Sequence, residues 1–189
     1  MPTIYIIAGP NGAGKTTAAY NLLPEVFDTI EFVNADEIAR GLSPFNFEGV
    51  AFQAGRIMIE RMHQLLKEKI SFAFETTLSG VTYLELIKLA KLAGYQVLFL
   101  FIRLENFRLA KSRVGERVRK GGHKIPDDVI ESRYKKGIEN FSKYAAQADD
   151  WYFFDNSGTE YLLIARSVEK VEEIFNFEIF NQFRANEFQ

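Results

Sequence analysis

Apolar residues along the chain form two alternating patterns. Short apolar runs have the composition of strands buried on both faces, at residues 3–8, 31–35, 72–74, 96–102 and 151–154. Between them, apolar residues return at helical spacing, at residues 15–23, 47–69, 81–93, 106–119 and 126–146. A sixth strand at residues 161–165 and a terminal helix from Val168 onward complete the prediction. The alternation predicts an α/β fold with a mostly parallel, five-stranded sheet covered by helices on both faces.

The turn after the first strand carries the clearest chemical motif. The pattern G-x-x-x-x-G-K-S/T is matched without a mismatch by Gly9, Pro10, Asn11, Gly12, Ala13, Gly14, Lys15, Thr16 and Thr17. Glycines let backbone N–H groups close around a phosphate, and the following helix adds the positive end of its dipole. We expect Lys15 to reach the β- and γ-phosphates and the Thr16 hydroxyl to bind Mg²⁺. The motif predicts a nucleoside triphosphate site in a P-loop NTPase fold.

Polar residues at the ends of the next two strands are candidates for the chemistry, because ligands bind beyond the carboxyl ends of parallel strands. Asp36 follows the second strand and is either the general base for a substrate hydroxyl or the N-cap of a helix. Glu75 follows the third strand, where it is a candidate for the Mg²⁺ shell or for orienting a substrate hydroxyl, with capping as the alternative. Its neighbour Thr76 is a candidate for substrate binding.

A basic cluster follows the fourth strand. Arg113 and Arg117 are four residues apart and share one helical face, while Arg119 lies near the end of the helix. Guanidinium groups suit the charge of a γ-phosphate in transfer, and the glycine pair that follows would serve as a hinge. We therefore predict a helical lid over about residues 106–135, with Arg117 and Arg119 as catalytic residues, Arg113 on the nucleotide and Arg133 on the substrate. The alternative is a solvated cationic helix end.

The turn after the fifth strand spells D-x-x-G at residues 155–158. In GTPase-like proteins this motif follows an earlier strand, and the N-K-x-D motif for guanine is absent here. We therefore interpret it as a turn whose backbone or Asn156 contacts adenine. This interpretation favours ATP as the nucleotide.

Composition narrows the class of protein further. A chain of 189 residues with 47% hydrophobic and 25% charged residues fits a single domain over residues 1–189. The net charge of −2 and the pI of 5.8 disfavour a nucleic-acid partner, and the lack of cysteine excludes disulfides and thiolate metal sites. The sequence has no membrane-spanning apolar run and no leader pattern at its start, so we expect a cytoplasmic location.

The phosphate loop alone also resembles that of ABC ATPases. Those domains carry strands before the loop, an L-S-G-G-Q signature and an apolar strand ending in Asp-Glu. Here only one strand precedes Gly9, the sequence Leu78-Ser79-Gly80 continues with Val81, and the next apolar strand is followed by Leu104-Glu105. The ABC interpretation therefore fails at three independent points.

Taken together, the motifs resemble the zeta-toxin-like P-loop kinases. The resemblance spans about residues 3–160 and rests on the loop, the two strand ends at residues 34–37 and 74–77, and the segment 117–134. It implies a three-layer fold like that of nucleoside-monophosphate kinases and ATP-dependent phosphorylation of a small-molecule hydroxyl. It also implies that Asp36 is the base and that Lys15, Arg117 and Arg119 hold the γ-phosphate. The family's best-known members phosphorylate a UDP-linked N-acetyl sugar and are neutralised by a small antitoxin, so both are candidates here.

Three functions follow as hypotheses. A small-molecule kinase would transfer phosphate from Mg·ATP and lose transfer on Asp36→Asn. A regulatory ATPase, or a toxin-like protein held silent by a partner, would hydrolyse ATP without a phosphorylated metabolite and co-purify with a small protein. A nucleic-acid end kinase would use the same chemistry and bind with a steep salt dependence.

Overall fold

A computed structural model describes residues 1–187 of the chain, and within them the sheet has seven strands. The strands are β1 (Thr3–Ala8), β2 (Phe32–Val33), β3 (Phe72–Thr76), β4 (Gln96–Arg103), β5 (Asp150–Asp155), β6 (Leu162–Val168) and β7 (Val171–Ile174). Their spatial order is β2-β3-β1-β4-β5-β6-β7, with β1 to β5 parallel and β6 and β7 antiparallel. The predicted α/β fold with a mostly parallel sheet is confirmed, but the predicted count of five strands is wrong.

Helices connect the parallel strands, and one further helix follows β7. They are α1 (Lys15–Leu22), α2 (Ala35–Leu42), α3 (Phe47–Glu68), α4 (Thr82–Leu92), α5 (Phe107–Arg119), α6 (Asp127–Ala145) and α7 (Phe177–Glu187). Helix α2 was anticipated only through the alternative that Asp36 caps a helix, and its bounds were not predicted. Pro126, expected in the first turn of a helix, instead occupies the N-cap of α6.

The terminal helix expected from Val168 onward is wrong, because Val168 ends β6 and the chain turns back into β7. Glu169 and Lys170 form the turn with φ angles of 52° and 66°. Two consecutive residues with positive φ are what a tight hairpin requires, and that turn normally uses Asn-Gly or Asp-Gly. A Glu-Lys pair lacks this signature, so the hairpin and the late start of α7 at Phe177 could not be read from the pattern.

Two apolar clusters lie on opposite faces of the sheet, because successive strand residues point to opposite sides. Ile4 and Ile6 of β1 belong to one cluster, and Tyr5 and Ile7 belong to the other. The first cluster is rich in stacked and edge-on aromatic rings, from Phe72, Phe74, Phe99, Phe101, Phe141, Phe153, Phe180 and Phe183. The helices on each face complete three layers, as predicted. The run of phenylalanines near the end of the sequence is typical of core or dimer packing. Phe180 and Phe183 are buried, Phe175 and Phe177 are exposed, and Phe188 lies outside the described residues.

Strand pairing brings the candidate residues to one edge of the sheet. Ile7 of β1 pairs with Glu75 of β3, and Arg103 of β4 pairs with Asp155 of β5. Gly9 leaves β1 so close to its neighbour that a Cβ there would lie 2.1 Å from the Ile102 carbonyl oxygen, which only glycine avoids. The phosphate loop therefore begins at the carboxyl ends of β3, β1 and β4. Among the described residues no helix has the length and hydrophobicity needed to cross a bilayer.

Candidate active site

The conformation of the loop between β1 and α1 depends on two glycines and on a hydrogen bond from Lys15 back to the loop. Gly12 and Gly14 have φ angles of 78° and 85°, a conformation that glycine adopts without strain. The Lys15 side chain is only 5% exposed, and its Nζ donates to the Pro10 carbonyl oxygen at 3.0 Å. The lysine ammonium is thus held across the loop, where the pattern predicts a phosphate.

The Glu75 carboxylate joins three elements of the site. It accepts hydrogen bonds from Thr16 Oγ1 at 2.6 Å and from Asn34 Nδ2 at 2.9 Å, both on Oε2. Its Oε1 lies 3.4 Å from Lys15 Nζ. All three of these polar partners are donors. Glu75 therefore links the start of α1 and the β2–α2 junction to β3, and it is not a helix cap.

Asp36 lies in the first turn of α2, and the N-cap of that helix is Asn34. The Asn34 Oδ1 accepts the backbone N–H of Asp36 at 2.8 Å, so capping as the alternative role for Asp36 is wrong. The Asp36 carboxylate is 42% exposed and lines the same cleft as Lys15. Sequence reasoning missed Asn34, although an Asn before two acidic residues is a helix-start signal.

Arg117 is the cationic residue that α5 brings to the cleft. Its Nε and Nη2 are buried and have no hydrogen-bond partner among the described residues. The glycine pair behind it ends α5: Gly121, with a φ of 91°, donates to the Val118 carbonyl oxygen, and Gly122 donates to that of Arg117. A Cβ on Gly122 would lie 2.7 Å from Arg117 Cγ. The glycine pair therefore packs against Arg117, and the hinge function expected of it stays a prediction.

The other predicted residues of α5 lie elsewhere. Arg119 is exposed at the last residue of the helix and does not line the cleft. Arg113 turns away from the cleft, and its guanidinium donates to three backbone carbonyl oxygens, those of Asn156 (2.7 Å), Ser157 (3.3 Å) and Gly158 (3.0 Å). The geometry thus separates these two arginines from Arg117.

The segment after β5 donates side-chain hydrogen bonds to the backbone of the phosphate loop. Asn156 Nδ2 donates to the Ala13 carbonyl oxygen at 2.9 Å, and Tyr161 Oη donates to that of Gly14 at 2.8 Å. A Cβ on Gly14 would lie 2.4 Å from Tyr161 Oη, so a larger residue there would displace the tyrosine hydroxyl. Tyr161, which precedes β6, was not recognised as a site residue, because no local pattern connects it with a loop so far away in sequence. The adenine contact expected of Asn156 stays a prediction.

His123 lies in the connection between α5 and α6, beside the Asp36 carboxylate, and does not itself line the cleft. Its ring stacks on Phe47, with centroids 3.9 Å apart and an angle of 4°, and its Nε2 is 3.8 Å from Asp36 Oδ2. Burial lowers the pKa of His123 below the ordinary value of 6.5. The nearby Asp36 raises this pKa, and Arg117, Arg40 and Arg133 lower it further. His123 was not among the site residues predicted from the sequence.

The cleft has a volume of about 780 Å³. Of the predicted residues it is lined by Asn11, Gly12, Gly14, Lys15, Thr16, Thr17, Asp36, Glu75, Thr76, Arg117 and Arg133. The wall formed by α3 adds Phe52, Arg56, Ile59 and Glu60, and the wall after β3 adds Ser79, Thr82 and Tyr83. Within residues 1–187 no group of three histidine or acidic side chains forms a metal site.

A phosphate loop at the β1–α1 junction, a mostly parallel sheet and a cleft at the carboxyl strand ends define the class of P-loop, kinase-like proteins. The profile of the family described as Zeta toxin matches residues 1–167. The chain belongs to the zeta toxin family, as the resemblance of its motifs predicted.

This chain aligns with known proteins over different shares of their length. An uncharacterized protein of Haemophilus influenzae is 34% identical over 128 residues, which cover 67% of this chain and 88% of that protein. A crystal structure of AvrRxo1-ORF1:AvrRxo1-ORF2 with sulphate ions matches with a TM-score of 0.80 at 18% identity, over 99% of this chain and 65% of that chain. The chain thus spans somewhat less than two thirds of that structure's length. A structure from the PezAT toxin-antitoxin system of Streptococcus pneumoniae matches with a TM-score of 0.69 at 15% identity, over 98% of this chain and 86% of that chain.

Proposed function

We propose that the chain transfers the γ-phosphate of ATP to a hydroxyl group of a small molecule. The observation that carries the proposal is a cleft that holds Lys15, the partly exposed carboxylate of Asp36, and Arg117, whose Nε and Nη2 have no acceptor within residues 1–187. Two cations near one carboxylate are what transfer to a hydroxyl needs, because charge spreads over the γ-phosphoryl oxygens while the hydroxyl loses its proton. A protein that only bound ATP would need no carboxylate across the cleft from the loop.

The loop side fits Mg·ATP. Thr16 Oγ1 and Glu75 Oε2 lie 2.6 Å apart beside the loop, and hydroxyl and carboxylate oxygens are ligands that Mg²⁺ prefers. The Asn11 Oδ1 in the loop is a buried acceptor without a partner among the described residues. Bound Mg²⁺ would neutralise charge on the β- and γ-phosphates. That a solved structure of AvrRxo1-ORF1:-ORF2 contains ATP supports the choice of nucleotide.

Each residue has a defined part in the transfer. Asp36 accepts the proton of the substrate hydroxyl. The hydroxyl oxygen bonds to the γ-phosphorus while the bond between the γ-phosphorus and the oxygen that bridges to the β-phosphate breaks. Lys15 and Arg117 stabilise the charge on the transferred group, and ADP leaves. Arg119 was also expected to hold the γ-phosphate. Because Arg119 is exposed outside the cleft, it could do so only if the end of α5 and the connection after it moved. Closure of a lid over about residues 106–135 would exclude water from the cleft.

The acceptor binds between α3 and the segment after β3. This half of the cleft combines an exposed aromatic ring, Phe52, with the charged groups of Arg56 and Arg133 and the hydroxyl of Thr76. Such a surface suits a polar molecule that carries a planar group and negative charge. Membership of the zeta toxin family makes a UDP-linked amino sugar the acceptor to test first.

A second proposal concerns regulation. One structural neighbour belongs to a toxin-antitoxin system, and another is a complex of two gene products, AvrRxo1-ORF1 and AvrRxo1-ORF2. We infer that a small antitoxin-like protein is a candidate partner of this chain. Co-purification from the native host, followed by loss of inhibition on removal of the partner, would support it.

The test is transfer of label from γ-labelled ATP into a metabolite extract, UDP-sugars and short oligonucleotides, with Lys15→Ala as the blank. Label in a small molecule, absent from the blank, is expected, and Asp36→Asn should retain ATP binding while losing transfer by about a hundredfold or more. Label only in free phosphate would move the function to a regulatory ATPase, and label in oligonucleotides to an end kinase. Unimpaired transfer by Asp36→Asn would refute its part as the base.

A further inference from the structure

The connection between α5 and α6 contacts both sides of the cleft at once. Gly122 packs against Arg117 on the phosphate side, and the next residue, His123, packs on Phe47 and faces Asp36 on the acceptor side. These contacts join α5, α2 and the start of α3. Arg117 and Asp36 act at opposite ends of the proposed transfer, so this single short segment lies against a residue at each end.

We propose that His123 is a positioning residue that orients the Asp36 carboxylate when the α5–α6 connection lies over the cleft. The inference rests on the proposed function. The ring is 13% exposed and fixed by its parallel stack on Phe47, so its Nε2 has a defined direction. The 3.8 Å between Nε2 and Asp36 Oδ2 is slightly longer than a hydrogen bond. A small movement of the connection therefore makes or breaks this contact.

The charges around the ring favour a neutral imidazole. Asp36 is the acidic group facing His123, while Arg40 on α2, Arg117 on α5 and Arg133 on α6 surround it with positive charge, and α3 contributes the apolar ring of Phe47. Once the connection moves closer, a neutral imidazole would donate one N–H to the carboxylate and leave Asp36 unpaired with a positive charge. A protonated imidazole would form an ion pair with Asp36 and make it a weaker base. Protonation of His123 should therefore lower the rate of transfer.

The kinetic test compares three substitutions. His123→Ala should lower kcat about tenfold to a hundredfold with little change in the KM for ATP, because orientation of one group is lost while the loop is intact. His123→Gln places an amide N–H where Nε2 lies, so it should recover part of kcat and shift the acid limb of the pH profile to lower pH. His63→Gln, at an exposed histidine of α3, is the matched control and should behave as wild type.

Two results separate positioning from a general structural role. In the Asp36→Asn background, His123→Ala should add no further loss to the residual single-turnover rate, whereas additive losses would overturn the proposal. Unchanged kcat and pH profile in His123→Ala would overturn it as well.

An NMR titration of the His123 ring needs no turnover. Its pKa should fall in Asp36→Asn, since the carboxylate raises it, with the His63 ring as the internal control, and an unchanged titration would refute the contact itself. A wild-type protein that transfers phosphate to nothing would refute the proposed function and the part of His123 in it. In that case the NMR measurement would still report on the contact between the two side chains.

Discussion

Replacing Glu75 by glutamine tests whether one carboxylate holds the phosphate-loop side of the cleft together. In the native protein the carboxylate accepts from Thr16 and Asn34 on one oxygen and faces the Lys15 ammonium with the other. An amide has one oxygen and one NH₂ group. With its oxygen toward Thr16, the NH₂ group meets the lysine, and in the flipped orientation it meets the Asn34 amide. Either orientation leaves two donors facing each other, and water cannot easily separate them because the side chain at position 75 is only 13% exposed.

The expected loss of stability follows from the number of interactions that the substitution removes. A buried hydrogen bond to a charged group contributes about 1.5–3 kcal/mol, and one such interaction is lost in either orientation. For a chain of this size 1 kcal/mol corresponds to about 2–4 °C in Tm, so Glu75→Gln should lower Tm by about 3–12 °C. The loss should appear without any nucleotide present, because all four side chains belong to the chain itself.

The assay is thermal unfolding of the nucleotide-free protein, with Glu85→Gln as the matched control. Glu85 lies on α4, is 73% exposed and is 3.7 Å from Lys88, a surface pair whose loss should cost less than about 1 kcal/mol. If Glu75→Gln melts within experimental error of wild type, the carboxylate does not hold the three donors. The reasoning about this site would then be refuted.

Further predictions concern the lid connection, the loop and pH. Gly122→Ala should lower transfer about tenfold through displacement of Arg117, whereas Gly115→Ala, with open space around its Cβ, should not; equal initial rates would contradict the packing. Tyr161→Phe removes the bond to the Gly14 carbonyl oxygen and should weaken ATP binding about fivefold by calorimetry, and unchanged affinity would show that this contact does not support the loop. Because the pKa of His123 lies below 6.5 in the folded state, the unfolded chain takes up this proton first as pH falls. Stability in urea should therefore decline from about pH 6.5 downward through the folded pKa, and the decline should be smaller in His123→Gln; equal pH slopes would exclude this contribution.

The elements that the sequence predicts well are those governed by local rules. The predicted bounds of β1 agree with the structure, because a run that is apolar on both faces ends directly at the glycine of the phosphate loop. Helix α3 is also close to its predicted range, since its apolar residues keep one face over 22 residues. The glycine pair after α5 was located correctly as a helix end. In each case the deciding residues lie within a few positions of one another.

The contacts that complete the site depend on residues distant in sequence. Asn34 and Glu75 are 41 residues apart, and Tyr161 and Gly14 are 147 residues apart. Such pairs meet only because the strand order places β3 and β4 on either side of β1 and brings the turn after β5 behind the loop. Without the order of the strands, a single sequence identifies Glu75 as a strand-end carboxylate but does not reveal that its partners are all donors. The same limit explains why Arg113 was expected at the nucleotide rather than on the turn that supports the loop.

The two sides of the cleft differ in how far their charges are already matched. Lys15 has Glu75 and the Pro10 carbonyl oxygen as partners, so the phosphate loop is balanced by the chain itself. Arg117 has two buried guanidinium nitrogens without a partner among the described residues, and desolvating such a group is costly unless an anion supplies the acceptor. A triphosphate would satisfy Arg117 while the Glu75 cluster keeps the loop in place. The binding energy of the nucleotide would then act mainly on α5 and its connection to α6, the segment that also carries His123 to Asp36. On this argument, nucleotide binding and the orientation of the proposed base are coupled through the same few residues.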